Sequence, residues 1–203
     1  DLKDLLGGKG ANLAEMTLMG LPVPPGFIIT TEACRAYLEN GSPPAGMETE
    51  VSEHLAALEK TMGRTLGQPD NPLLVSVRSG GKFSMPGMMD SVLNVGLNDE
   101  SVLGFAKQSG NDRLAFDSYR RLIQMFGKTV LGVDGSLFEG ALHAAKEAKG
   151  THDDLDPDSE DLRALVGVYK AIVHDHTDRV FPHAPRHRRD PDTPQVHAAD
   201  GAP

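Results

Sequence analysis

Residues 73–97 read Leu-Leu-Val-Ser-Val-Arg-Ser-Gly-Gly-Lys-Phe-Ser-Met-Pro-Gly-Met-Met-Asp-Ser-Val-Leu-Asn-Val-Gly-Leu. The first five residues, 73–77, are mostly apolar or β-branched and contain no glycine or proline, which predicts a buried strand. Arg78 ends this strand and is followed at once by Ser79 and two glycines. A second turn at 84–90 then precedes an apolar run at 92–97. The prediction of the fold starts from this strand and its two turns.

A strand that ends in arginine and a glycine turn is suited to binding an anion. Gly80 and Gly81 allow backbone N–H groups to approach phosphate oxygens closely, and the Arg78 guanidinium adds forked donors with a permanent charge. A lone Arg-Ser-Gly is more often a surface loop with a solvated arginine. The anion interpretation therefore depends on a second element elsewhere in the chain.

Such an element lies near the start of the sequence, where three glycines surround one lysine. Gly7, Gly8, Lys9 and Gly10 immediately precede an apolar helical pattern that we expect over residues 11–19. A lysine on a glycine turn at the start of a helix can bind phosphate as a point charge. The motif is not a P-loop, because the GxxxxGK[ST] pattern is absent. Lys9 and Arg78 are therefore predicted to converge on one phosphate-binding cleft.

Three motifs together resemble the nucleotide-binding domain of the dikinases that make phosphoenolpyruvate. They are the stretches at 7–13, 20–27 and 77–80. The sequence Ser-Met-Pro-Gly-Met-Met-Asp-Ser-Val-Leu-Asn at 84–94 is similar to that of the pyruvate, phosphate dikinase family in particular, whereas sibling dikinases carry an acidic, Gln-containing loop there. The resemblance covers roughly residues 1–181.

The resemblance implies an α+β fold, the N-terminal portion of an ATP-grasp-like nucleotide-binding domain with a helical subdomain. It implies ATP as ligand, with Lys9, Arg78, Gly87 and Met88 at its phosphates, and a Mg²⁺ ion whose ligands lie in a later part of the family's domain. The family interconverts ATP, pyruvate and phosphate with AMP, phosphoenolpyruvate and pyrophosphate through a phosphohistidine, and its full-length members are homo-oligomers. The remaining site residues implied by the motifs are the glycines and loop residues Gly7, Gly8, Gly10, Gly80, Gly81, Ser84, Met85, Met89 and Asp90.

Composition limits the other classes of function. The chain has 203 residues, a net charge of −9 and one cysteine. The acidic balance argues against nucleic acid or an anionic membrane as the main partner, and a single cysteine excludes an intrachain disulfide. No apolar run reaches the length of a membrane span and no signal peptide is visible, so we expect a cytoplasmic location. No residue pattern predicts a metal site.

The order of patterns along the chain predicts three parts. Residues 1–97 are expected to form a mixed α/β subdomain, incomplete at its start and including a short strand at 27–30 and helices at 31–38 and 48–63. Residues 98–180 are expected to form a helical subdomain, with helices at 101–108, 112–130 and 137–148 and a last one whose apolar stripe spans 162–173. Residues 181–203 hold many prolines and no apolar period, and we expect them to be disordered or non-native in sequence, without packed contacts.

Two interpretations of function remain open. The first is the ATP-binding part of a dikinase, which is not expected to be active alone because the later half of the nucleotide domain, the histidine domain and the pyruvate-binding barrel are absent from this sequence. The second is a non-catalytic helical interaction module or an inactive truncated fragment, which the helix-rich region after residue 98 favours. Arg120 and Arg121 are expected to be solvated or ion-paired on a helix rather than to bind phosphate.

Overall fold

The computed structural model describes residues 2–80 and 91–181, and these residues divide into two compact units. The first unit contains residues 2–63, 78–80 and 91. The second contains residues 64–77 and 92–181. Each unit therefore combines a long continuous segment with a short segment from elsewhere in the chain.

The first unit contains three helices: α1 (Leu2–Leu18), α2 (Thr31–Asn40) and α3 (Met47–Met62). Thr30 caps α2 by accepting a hydrogen bond from the backbone N–H of Ala33, and Gly41 ends the helix. Helices α2 and α3 agree with the helices predicted at 31–38 and 48–63. The predicted start of the first helix at residue 11 is wrong, because helical backbone lies on both sides of a kink at Gly7.

The segment between α1 and α2 is not the strand that the sequence predicts at 27–30. Residues 21–30 form no regular element. Three prolines, at positions 22, 24 and 25, hold this segment out of a helix and remove backbone N–H donors. An extended chain becomes a strand only when a neighbour pairs with it, and residues 27–30 pair with no strand in the part of the chain that the structure describes.

A two-stranded sheet follows, formed by β1 (Val75–Arg78) and β2 (Ser91–Val95). Both strands overlap the strand and the apolar run predicted from residues 73–97. Beyond them the described chain is helical: α4 (Ser101–Ser109), α5 (Asp112–Thr129), α6 (Gly135–Lys149) and α7 (Ser159–Thr177). A helix-rich chain with one small sheet confirms the α+β class.

The hydrophobic core lies in the second unit. Helices α5 and α7 pack against each other and bury Tyr119, Ile123, Tyr169 and Val173, each exposed by 1% or less. The core also includes Val92 and Leu97 together with α4, which is why the compact units do not divide at residue 97 as the predicted subdomains do. In residues 2–63, by contrast, Ala11 is the only apolar side chain that is buried.

The chain after α7 returns to this core. Phe181 is 4% exposed, and its ring lies edge-on to Tyr119 and Phe126 with centroid distances of 6.3 and 5.6 Å. The prediction that residues 181–203 lack packed contacts is therefore wrong for Phe181. Residues 182–203 lie outside the described residues. None of the helices in the described ranges has both the length and the apolar character that a membrane span requires.

Candidate phosphate-binding site

The glycine-rich start of α1 contains a sharp kink. Gly7 has φ 68° and ψ 168°, a conformation outside the helical region, and it is buried. This backbone geometry is essentially restricted to glycine, because a side chain would collide with the neighbouring backbone. The kink therefore depends on the glycine that the sequence places there.

The kink places α1 against the residues that follow Arg78. The Lys9 ammonium group donates a hydrogen bond to the main-chain oxygen of Ser79, with an Nζ–O distance of 3.3 Å. A Cβ atom added to Gly7 would lie 3.0 Å from the main-chain oxygen of Gly80. We call this pair of interactions the Gly7–Gly80 contact; it joins two segments at least 70 residues apart in sequence. Two of the predicted phosphate-binding motifs are thus neighbours in the first unit.

The two predicted cations of the site remain available for a ligand. Arg78 is exposed and Lys9 is partly buried. In residues 2–80 and 91–181, neither side chain forms an ion pair with a carboxylate. In those ranges Lys9 therefore pairs with neither Asp4 nor Glu15, the acidic residues nearest to it in sequence. An ammonium group has three donors, so Lys9 retains two after its bond to Ser79.

The other predicted residues fall into two groups. Gly10 is buried, and a Cβ atom there would lie 3.0 Å from Cδ1 of Ile28, so this glycine lets α1 pack closely against the segment before α2. Gly8, in the same turn, is partly buried. The remaining predicted site residues lie outside the described residues. They are Gly81, Ser84, Met85, Gly87, Met88, Met89 and Asp90.

Two contributors to this site were missed at the level of sequence. The acceptor for Lys9 is a main-chain oxygen, that of Ser79, which no side-chain pattern reveals. The hydroxyl of Thr31 donates a hydrogen bond to the main-chain oxygen of Asp4 and thereby ties the start of α2 to the start of α1. Threonine at the start of a helix signals a cap, but in this case the cap is the adjacent Thr30. No local signal distinguishes these two roles.

Arg120 and Arg121, on α5 in the second unit, form ion pairs with a carboxylate on the same helix. The buried Arg120 places its Nη2 atom 2.8 Å from Oδ1 of Asp117. The other oxygen of this carboxylate, Oδ2, lies 2.9 Å from Nε of Arg121. The expectation that both arginines are ion-paired rather than phosphate-binding agrees with this geometry. The buried Tyr119 donates a hydrogen bond to Asp99 at 3.2 Å, and burial together with this carboxylate raises the pKa of the tyrosine.

Comparison with known proteins identifies the relatives of this chain. The family described as "Pyruvate phosphate dikinase, AMP/ATP-binding domain" matches residues 3–48. A pyruvate, phosphate dikinase of Flaveria trinervia, named chloroplastic, is 53% identical over 187 residues, which are 92% of this chain and 20% of the relative. Pyruvate, phosphate dikinase 1 of Zea mays, also named chloroplastic, is 52% identical over 186 residues, or 91% of this chain and 20% of the relative.

A bacterial relative shows the same extent of similarity. The pyruvate, phosphate dikinase of Clostridium symbiosum is 48% identical over 187 residues, covering 91% of this chain and 21% of its own length. The chain thus spans about a fifth of the length of the curated relatives it matches. Because two relatives are named chloroplastic, the expected cytoplasmic location stays a prediction. The resemblance predicted from the motifs is confirmed: over nine-tenths of its length, this chain is homologous to the pyruvate, phosphate dikinases.

Proposed function

We propose that this chain is the ATP-binding part of a pyruvate, phosphate dikinase and that the Gly7–Gly80 contact lies at the phosphates of ATP. The whole enzyme would interconvert ATP, pyruvate and phosphate with AMP, phosphoenolpyruvate and pyrophosphate. The observation that carries the proposal is the position of Lys9 beside Ser79, the residue next to Arg78. The homology supports the same conclusion, because the matching family is described as an AMP/ATP-binding domain.

The proposed role of each residue follows from its donors. Lys9 neutralises charge on the phosphate chain with the donors left free by its bond to Ser79, and that bond holds the ammonium group at the residue that follows Arg78. Arg78 adds a planar fork that matches two phosphate oxygens. Two cations are required because one exposed cation gives only a weak attraction that salt screens. An ATP-grasp-like arrangement of the complete domain, with residues 84–90 close to the nucleotide, is part of this proposal.

Magnesium has a limited place in the proposal. Phosphoryl transfer from ATP generally uses Mg²⁺ to neutralise developing charge. Among the residues that the structure describes, however, no three histidine, cysteine or acidic side chains form a group that fits a metal ion. The proposal therefore assigns no step of the chemistry to Mg²⁺ bound by these residues, and it limits their role to binding and orienting the nucleotide.

The test is a calorimetric titration of the chain with ATP at low and at moderate salt. We expect Lys9→Ala and Arg78→Ala each to weaken binding by roughly 10- to 150-fold, because a hydrogen bond to a charged group contributes about 1.5–3 kcal/mol. Lys60→Ala and Arg35→Ala are the matched controls. They remove the same charges from exposed positions in the same unit, and we expect them to leave the affinity within about twofold, an effect below 0.5 kcal/mol.

Two results would contradict the proposal in different ways. ATP binding that the four substitutions reduce equally would show that only net charge matters, and it would remove Lys9 and Arg78 from the site. Absence of ATP binding by the unsubstituted chain at millimolar ATP would favour the alternative, a helical interaction module or an inactive fragment.

A further inference from the structure

The two glycines of the Gly7–Gly80 contact are not equivalent. A Cβ atom added to Gly7 would meet the oxygen, carbonyl carbon and Cα of Gly80 at 3.0, 3.2 and 3.6 Å. A Cβ atom added to Gly80 would meet only the main-chain oxygen of Leu6, at 3.9 Å, an ordinary van der Waals distance. The close approach therefore requires glycine at position 7, while position 80 has room for a methyl group.

The backbone at Gly7 adds a second restriction. Its φ of 68° and ψ of 168° lie in a region that other residues essentially do not occupy. A residue with a side chain at position 7 would have to leave this conformation, and that movement would turn the helix carrying Lys9 relative to the preceding residues. The contact with Gly80 and the backbone conformation of Gly7 therefore both affect the position of Lys9 relative to residues 78–80.

We propose that Gly7 is a positioning residue: it sets the spacing between Lys9 and Arg78 by letting the backbone of α1 rest directly on that of Gly80. This role differs from the one usually given to glycine at an anion site, where the missing side chain admits the ligand to the backbone. Here the missing side chain admits another part of the protein. The inference deepens the proposed ATP-phosphate site and rests on it for its functional consequence.

The chain offers a matched control for the main perturbation. Gly20 lies in the turn after α1 with φ 74°, close to the value at Gly7, but a Cβ atom there would meet nothing within 4 Å. Gly20→Ala therefore introduces strain at a positive φ without touching a second segment, whereas Gly7→Ala introduces both. Because Gly7 also has a ψ of 168°, the difference between the two variants reports the contact with Gly80 and the conformation of Gly7 together, apart from the general cost of replacing a glycine at a positive φ.

Two measurements are made on the full chain of each variant. The first records NMR backbone signals, above all the carbonyl ¹³C of Ser79, whose shift reports the hydrogen bond from Lys9. The second is the dissociation constant for ATP, with the thermal midpoint measured beside it. We expect Gly7→Ala to shift the signals of Ser79 and Gly80 and to weaken ATP binding at least about tenfold, a change of about 1.4 kcal/mol. Gly20→Ala should do neither, even if both variants melt at similar temperatures.

Each outcome decides the proposal. Unchanged Ser79 and Gly80 signals in Gly7→Ala, or equal loss of ATP affinity in the two variants, would overturn it. If Gly7→Ala does not fold in residues 2–63, Lys9→Met is measured instead, because it removes the bond to Ser79 without altering the backbone. An unmoved Ser79 carbonyl signal in Lys9→Met would then overturn the contact. If the unsubstituted chain binds no ATP, the proposed function fails, while the NMR measurement still decides whether Gly7 positions Lys9.

Discussion

Replacement of Phe181 by alanine is expected to destabilise the second unit strongly, although this residue lies beyond the last helix. The Phe181 ring is 4% exposed and packs edge-on against Tyr119 and Phe126. Removing about 200 Å² of buried aromatic surface at about 25 cal/mol per Å² costs about 5 kcal/mol as an upper value. Substitutions of buried phenylalanine by alanine typically cost about 3–5 kcal/mol, which is in the same range.

The assay is differential scanning calorimetry of the full chain. In a unit of about a hundred residues, each kcal/mol lowers the Tm by about 4 °C, so Phe181→Ala should lower it by about 12–20 °C. Val180→Ala is the control, since the preceding side chain is 65% exposed and should change stability by less than about 0.5 kcal/mol. Equal midpoints for the two variants would show that Phe181 does not belong to the core.

Two further predictions concern stability and its dependence on pH. Gly104→Ala should destabilise the chain by at least about 1–3 kcal/mol, because a Cβ atom there would lie 1.8 Å from the main-chain oxygen of Pro69. Gly140 lies inside α6, and a Cβ atom added to it would meet nothing within 4 Å. Gly140→Ala should therefore stabilise the chain by roughly 0.5–1 kcal/mol. Urea midpoints check both, and equal midpoints would contradict the assigned contact. Hydrogen bonds from Lys149 and from the backbone lower the pKa of Asp158 from 3.8 to about 2. The ionised carboxylate of Asp158 therefore stabilises the folded state. This contribution to the free energy of unfolding is present above pH 3.8 and is lost as the pH falls toward 2. Asp158→Asn should flatten the fall in urea midpoint over that interval, and an unchanged profile would show that this carboxylate contributes nothing.

The sequence predicts those features that depend on local pattern. Helix α2 is bounded by Thr30 and Gly41, whose capping chemistry acts over a few residues and can be read directly. Helix α5 carries apolar residues at helical spacing because it packs against α7, and the same spacing predicts the helix. The predicted phosphate-binding motifs are short and specific, so they indicate the dikinases to which the comparisons find this chain similar.

What the sequence does not predict depends on partners that are distant along the chain. Residues 27–30 have the extended, apolar character of a strand, but only the structure shows that no strand pairs with them in the described region. The packing of Phe181 on Tyr119 and the approach of Gly7 to Gly80 join segments more than 60 residues apart. The composition of residues 181–203 as a whole predicts disorder, and the single aromatic side chain at position 181 does not change that composition enough to alter the prediction.

The uneven distribution of buried apolar side chains has a consequence for the synthesis of the protein. Residues 2–63 leave the ribosome before the segment that supplies the hydrophobic core, and Ala11 is the only apolar side chain among them that becomes buried. At about 5–20 residues per second, translation from residue 64 to residue 181 takes roughly 6–24 s. During that interval apolar residues at the end of the first helix, such as Leu18 and the adjacent Met19, which are 83% and 68% exposed even in the folded chain, face water or a chaperone. Translation speed across residues 64–181 is therefore expected to influence the yield of folded protein more than the intrinsic stability of the first helices does.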